Sequence, residues 1–286
     1  MSTRTMLIWL GATALLGGCE AQKCEAQNGQ SAICLKSLKR FDGTADTESA
    51  AYTAGADVNV HSRNGTLDVV RGSTDDTVTA TFQPFVMRAY DTSDSVIADD
   101  LSKLETSVAA DADGNVTVDV SRDNGAENTL GADLTVELPS SFAGTLGIRQ
   151  DNGETNVHFV GTAVGVTVTS DNGACDVATA ASDVSVHCDN GDLTASIDAV
   201  TPQTGSGFST GNGSITLSLP SDGAFSVEAQ ALAGGVVNVE HLPAACAVNM
   251  ASNAAKTVSC NNATDADPIY TVKADGTGLA DVTLRF

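Results

Sequence analysis

The sequence predicts an all-β protein: a β-solenoid of short strands stacked coil on coil, with Asn-Gly corners and one short helix. Three observations carry that expectation. The phrase Asp151-Asn152-Gly153 returns as Asp171-Asn172-Gly173, as Asp189-Asn190-Gly191 and, varied, as Gly211-Asn212-Gly213. Apolar residues alternate on both sides of each phrase, as with Val166 and Val168 before Asn172 and Cys175 and Val177 after it. The asparagines at 152, 172, 190 and 212 lie 20, 18 and 22 residues apart, a length that suits two short strands and their corners. A β-sandwich with Greek-key links is the alternative, since short strands and frequent turns also permit it.

The chain has 286 residues, of which 27 are glycine and only 4% aromatic, so its core is built from small aliphatic side chains on narrow strands. It opens with Met1-Ser2-Thr3-Arg4 and an apolar run from Met6 to Leu16, which is too short to span a bilayer and reads as a secretory leader. Leu16-Gly17-Gly18-Cys19 resembles the bacterial lipobox, which implies cleavage after residue 18 and acylation of Cys19, with palmitate among the acyl chains. In the Gram-negative sorting pattern that this resembles, Glu20 in place of Asp favours the outer membrane; the periplasmic or surface face stays open. Three parts follow: a signal peptide at 1–18, a lipid-anchored polar tether at 19–50 with Lys36, Lys39 and Arg40, and a repeat domain at 51–286.

The repeat domain begins with an early copy of the pattern, in which Val58, Val60, Leu67 and Val69 hold the same places around Asn64-Gly65 as their counterparts around Asn172. Thr77 to Met87 reads as a strand, and Pro84 marks an edge or a bend. Val96, Ile97, Leu101, Leu104 and Val108 share a helical face, so a helix is expected over 94–110, capped by Ser93 or Asp94 and closed at Asp113-Gly114. Asn115 to Val120 and Ala132 to Pro139 alternate as strands. From Val236 to Tyr270 the period fades into an expected loop, and Asp281 to Phe286 resumes as a closing strand.

The corners have a backbone reason. Asn tolerates, and Gly prefers, the positive φ of a tight turn, and stacked asparagines bond amide to amide. The order of these parts resembles the bacterial putative-adhesin family of solenoid domains, whose function is unassigned. The resemblance rests on the helical stretch leading into Asp113-Gly114-Asn115-Val116-Thr117-Val118, on the strand ends at Leu134–Pro139 and Leu217–Pro220, and on the Asn-Gly corners. It implies fold more than activity.

Charge and cysteines narrow the function. With 14 Lys and Arg against 36 Asp and Glu the formal net charge is −22, which disfavours nucleic acid and adhesion to anionic lipid by charge alone. Beyond Cys19, six cysteines form three local couples in an exported chain: Cys24 with Cys34, Cys175 with Cys188, and Cys246 with Cys260. Disulfides fit them better than a metal, because no Cys-x-x-Cys pair is present.

Catalytic signals are poor. Gly207-Phe208-Ser209-Thr210-Gly211 matches the nucleophile-elbow pattern but runs on into a strand where that motif needs a helix. His61, His158 and His187 fall on outward positions of their strands. Asp151, Asp171 and Asp189 form a row beside the corners, open either to a calcium row or to plain solvation as turn residues. The expected function is a non-enzymatic, lipid-anchored envelope protein whose polar walls bind a glycan or a protein. The alternatives are a self-associating structural module and, less favoured for lack of aromatic sugar platforms, a carbohydrate-active β-helix enzyme.

Overall fold

The computed structural model describes residues 21–25, 31–35, 38–123, 129–159, 163–181, 183–198, 206–220, 222–232, 234–264, 267–275 and 280–286. The leader and Cys19 lie outside them, as do the side chains of 21–25, 31–35 and 159, and with them the expected Cys24–Cys34 couple.

Strands β1 (Ala21–Glu25) and β2 (Ser31–Leu35) pair with each other in antiparallel fashion. Strands β3 (Leu38–Asp42) and β4 (Asp46–Ala51) already belong to a large sheet, so ordered pairing with the repeat domain starts at Leu38, inside the stretch expected to be tether. The first corner lies between β5 (Val58–Asn64) and β6 (Leu67–Arg71). Then comes β7 (Thr77–Ala89), which pairs with β4 as far as Phe82 and with β3 from Phe85. Pro84 sits where that neighbour changes, and its carbonyl accepts the Gly43 N–H at 2.8 Å. The proline is placed at a gap between two partners, where its missing N–H breaks no ladder bond on that side.

The helix α1 (Asp94–Leu101) ends nine residues before the expected Ala110, and Leu104–Ala110 is strand β8. Leu104 and Val108 fit a period of two as well as a helical face. Pairing decides between them: β9 (Val116–Arg122) takes β8 antiparallel from Leu104↔Arg122 to Ala110↔Val116. The Asp113-Gly114 signal therefore turns a hairpin, with Gly114 at φ 85°.

Strand β10 (Leu130–Leu138) precedes the central block of β11 (Thr145–Asn152), β12 (Thr155–Phe159), β13 (Gly165–Asn172), β14 (Cys175–Thr179), β15 (Asp183–Asn190), β16 (Leu193–Ile197), β17 (Gly207–Asn212) and β18 (Ile215–Ser218). After them come β19 (Phe225–Ala231), β20 (Val237–Glu240), β21 (Cys246–Ser252), β22 (Ala255–Cys260), β23 (Ile269–Ala274) and β24 (Val282–Arg285). The stretch expected to be a loop thus holds an antiparallel hairpin, β21–β22. Its residues are small and polar enough to hide the alternation, but Val248 faces Val258 across it and Cys246 is bonded to Cys260.

Two mixed sheets of eleven strands result, and the protein is all-β with one helix. One runs β20-β24-β18-β16-β14-β12-β6-β10-β7-β3, with β4 also on β7; the other runs β21-β22-β19-β23-β17-β15-β13-β11-β5-β9-β8. Two sheets layered over a shared core is the layout of the sandwich alternative. Between the Asn-Gly units, however, every contact is parallel and in register: β11 on β13, β13 on β15 and β15 on β17 in one sheet, β12 on β14, β14 on β16 and β16 on β18 in the other. The order of units departs from chain order at both ends. The pair β23 and β24 lies between the β17–β18 unit and the β19–β20 unit, and β9 and β10 lie beyond β5 and β6.

Inward residues of both sheets form one continuous core, with Phe82, Phe142, Phe208 and Phe225 among its largest buried side chains. Each such side chain contributes roughly 1.5–3 kcal/mol of burial. A smaller cluster of Val86, Ile97 and Leu130 seats α1.

The corner column is held twice. Amides of Asn152, Asn172, Asn190 and Asn212 each donate to the Oδ1 of the asparagine one unit earlier, at 3.0, 3.0, 3.2 and 2.9 Å, starting from Asn64. The glycines are packed as tightly: a Cβ on Gly153, Gly173, Gly191 or Gly213 would stand 1.9–2.1 Å from the preceding glycine's carbonyl oxygen. Gly173 also needs its φ of +127°.

Candidate functional site

Outward residues of the second sheet form flat rows across the units, because parallel strands in register place like positions side by side. One row contains Thr117, Asn59, Gly147 and Thr167; the next contains Asp119, His61, Arg149 and Thr169. Gly147 interrupts the first row. A hollow of about 290 Å³ opens there, lined by Asn59, His61, Thr117, Arg149 and Thr167 around the glycine. A Cβ at Gly147 would meet Asn59 Oδ1 at 2.7 Å, so an alanine there would push the amide aside.

The polar groups around the hollow are oriented by neighbours. His61 Nδ1 lies 2.9 Å from Asp119 Oδ1 and its Nε2 lies 3.9 Å from Asp151 Oδ1. Arg149 reaches Asp151 at 3.5 Å through Nε and Asp171 at 3.4 Å through a terminal nitrogen, with its side chain 60% exposed. Long, exposed pairs of this kind stabilise the fold by about 0–1 kcal/mol at most. They set charge and orientation instead.

The same contacts bear on the acidic row. Arg149 supplies the counter-charge between Asp151 and Asp171, and Asp189 instead leans over Gly211, where a Cβ would lie 2.3 Å from its Oδ1. Among the described residues no three His, Cys, Asp or Glu side chains come together as a metal site. The three aspartates thus share a column without converging on one point.

Ser209, the serine of the Gly-x-Ser-x-Gly pattern, has its Oγ 2.8 Å from His187 Nδ1. The pair stands on the outer face of β17 and β15, which are adjacent parallel strands. There is no strand-to-helix turn to raise the serine, and the nucleophile elbow needs one. The opposite wall carries Asp68, Asn156, Asp176, Thr194, Thr216 and Thr283 in one row. Asn156 donates to Asp68 at 2.8 Å and His158 pairs with Asp176 at 3.3 Å, so charge gives way to hydroxyls along that wall.

The disulfides Cys175–Cys188 and Cys246–Cys260 are both present. The first joins the inner sides of neighbouring corners and is buried, with Cys175 1% and Cys188 0% exposed. Reasoning from the sequence found the histidines and aspartates of the wall but passed over Asn59, Gly147 and Arg149. A glycine inside an alternating strand, which signals a close approach, is the clue that points to them.

No family model matches this chain, and no curated protein matches it. Solved structures similar to it include a putative cell adhesion protein from Clostridium sporogenes, at 12% identity over 85% of this chain and 99% of that one, with a TM-score of 0.46. A putative adhesin from Bacteroides fragilis is similar at 9% identity over 84% of this chain and 97% of that one, TM-score 0.31. A putative lipid binding protein from Parabacteroides distasonis follows at 8% identity over 84% and 97%, TM-score 0.20. At these values the likeness carries neither fold nor activity to this chain; its fold rests on the strand register above.

Proposed function

We infer that the chain is a non-enzymatic, lipid-anchored cell-envelope protein in which a rigid β-solenoid holds a polar wall out to a glycan or protein ligand. The leader ending in Leu16-Gly17-Gly18-Cys19 supports a signal peptide at 1–18 and an acylated Cys19, and Glu20 supports the outer membrane. The parallel, in-register stacking of the Asn-Gly units supports the solenoid reading.

The observation that carries the binding role is the hollow at Gly147. Residues that carry amide, hydroxyl, imidazole and guanidinium groups line it from four neighbouring strands, beside Val60 and Ile148, on a backbone locked by ladders on both sides. That set both donates and accepts hydrogen bonds, as sugar hydroxyls and peptide groups require. The test is binding of the mature domain to immobilised envelope polysaccharides and envelope proteins, with Arg149→Ala and Asn59→Ala as variants. Each variant is expected to weaken binding about tenfold, or ~1.4 kcal/mol, without moving the melting temperature. Binding that ignores both variants refutes the site. The anchor is tested separately: palmitate incorporation is expected to vanish in Cys19→Ser, and its persistence there overturns the lipidation.

Self-association is the second reading, and one observation favours it. Strands β20 and β21 are the last of their sheets, and Val236, Leu242 and Met250 near them are 38%, 39% and 60% exposed. The other end is plugged: Glu48 of β4 accepts from Thr106 Oγ1 at 3.0 Å and from the Val108 N–H of edge strand β8 at 3.1 Å. Light scattering that shows a mass rising with concentration, abolished by Met250→Lys, supports this reading; a constant mass removes it.

A further inference from the structure

We propose that the outer face of the second sheet carries a track for a linear, uncharged polysaccharide, which crosses the strands and fills a second hollow as well as the one at Gly147. The proposal rests on the binding role inferred above and names the class of ligand.

The second hollow, of about 230 Å³, lies further along the same sheet. Its polar lining is Glu228, Gln230, Lys256, Thr257, Thr271 and Lys273, and the rest is alanine and valine. Glu228, Gln230, Thr271 and Lys273 alternate along their strands with the buried Ala229 and Val272, so the hollow opens on the outer face. Parallel register joins it to the first. From Gly147 one row continues through Thr167, Ser185 and Gly207 to Thr271; from Arg149 the row beside it continues through Thr169, His187 and Ser209 to Lys273. Arg149 on β11 and Lys273 on β23 stand four strand steps apart, with β13, β15 and β17 between, or about 19 Å at roughly 4.8 Å a step. The floor between them is low. A Cβ at Gly207 would meet nothing within 4 Å among the described residues.

Charge selects against an acidic ligand. The cations of the two rows and the second hollow are Arg149, Lys256 and Lys273, against the carboxylates of Asp119 and Glu228 and of Asp151 and Asp275 beside them. Lys273 Nζ lies 2.8 Å from Asp275 and Arg149 Nε lies 3.5 Å from Asp151, so each of these cations reaches the aspartate two residues on. A track compensated in this way, on a chain of net charge −22, does not attract a polyanion.

The backbone selects against a peptide. Strands β11, β13, β15, β17 and β23 each have a neighbour on both sides, so their N–H and C=O groups are used in ladders and no further strand can add to them. The side chains between the hollows carry hydroxyl and imidazole groups, and none is the large apolar anchor through which protein partners bind. Hydroxyls both donate and accept, as sugar hydroxyls do. Each strand step repeats the same two positions, and an extended hexose chain advances by nearly the same step, so successive sugars meet equivalent groups.

The experiment titrates the mature protein with oligomers of cellulose, mannan and chitin, graded from disaccharide to polymer, and with polygalacturonate as the anionic arm. Affinity for at least one neutral series is expected to rise about tenfold with length and to level off near about five units, one for each strand from β11 to β23. Lys273→Ala, and Gly207→Leu, which adds bulk at mid-track where a Cβ has room, are expected to remove that gain and to leave the disaccharide affinity and the melting temperature unchanged. If neither variant alters the length dependence, the track is overturned while the hollow at Gly147 stands. If Lys273→Ala removes the gain and Arg149→Ala weakens nothing, the track and the hollow at Gly147 both fall. Binding to no neutral series, or tighter binding to polygalacturonate than to any of them, also overturns the proposal; a protein ligand that depends on Arg149 would then leave the earlier reading in place.

Discussion

The inner side of the corner column is filled in two ways. In the earlier units it holds Leu67 and the polar residues Ser62, Gln150, Thr155 and Ser170, all fully buried, and each of these four has a side-chain oxygen without a hydrogen-bond partner among the described residues. From the Cys175–Cys188 bridge onward the same places hold Leu193 and Ile215, and Thr210, whose hydroxyl donates to the Gly191 carbonyl at 2.9 Å. The asparagine ladder runs through both sides of the bridge. The corner is therefore specified by its asparagines and glycines, while the fill behind it varies.

Substitutions can break that comparison, beginning with the glycine column that both halves share. Gly173→Ala puts a Cβ 2.0 Å from the Gly153 carbonyl at a φ of +127°, and the expected outcome is loss of folding at ordinary temperature, seen by circular dichroism. A normal melt would show that the column yields.

Replacing Cys175 and Cys188 together by Ala removes the crosslink and buried sulfur, and a loss of about 2–5 kcal/mol in denaturant unfolding is expected. A smaller loss, under ~1 kcal/mol, would mean that the ladders alone hold neighbouring units together.

Thr210→Val tests the apolar half and Ser170→Ala the polar half. The first leaves the Gly191 carbonyl without its donor and is expected to cost about 1–3 kcal/mol. The second removes a hydroxyl that has no protein partner, so stability should hold within ~0.5 kcal/mol or rise. If Ser170→Ala costs as much as Thr210→Val, the hydroxyl is bonded to a buried water and the polar half is a hydrated one.

Much of this was legible in the sequence because it is local. The corners, the amide ladder and the 175/188 and 246/260 couples each follow from a few residues read together, and the structure has them. The helix end was not legible, since Leu104 and Val108 satisfy both periods and only the partner strand β9 chooses between them. Neither was the order of units. Units that carry the same alternation are interchangeable as neighbours on paper, so nothing in Ile269–Ala274 announces that it pairs with both β17 and β19. The hollow shares this difficulty, because Asn59, Thr117, Gly147 and Thr167 are far apart in the chain and meet only through register.

The late placement of β23 and β24 has a consequence for how the molecule is made. The strands that precede them in synthesis, β19 and β20, lie on the far side of a slot that nothing earlier in the chain fills. Strands β23 and β24 are thus a keystone set between stones already laid. Growth from the first residue onward cannot finish the stack by adding to its end, and a chain stopped before Ile269 would lack a middle course, leaving β17 and β19 without their shared neighbour.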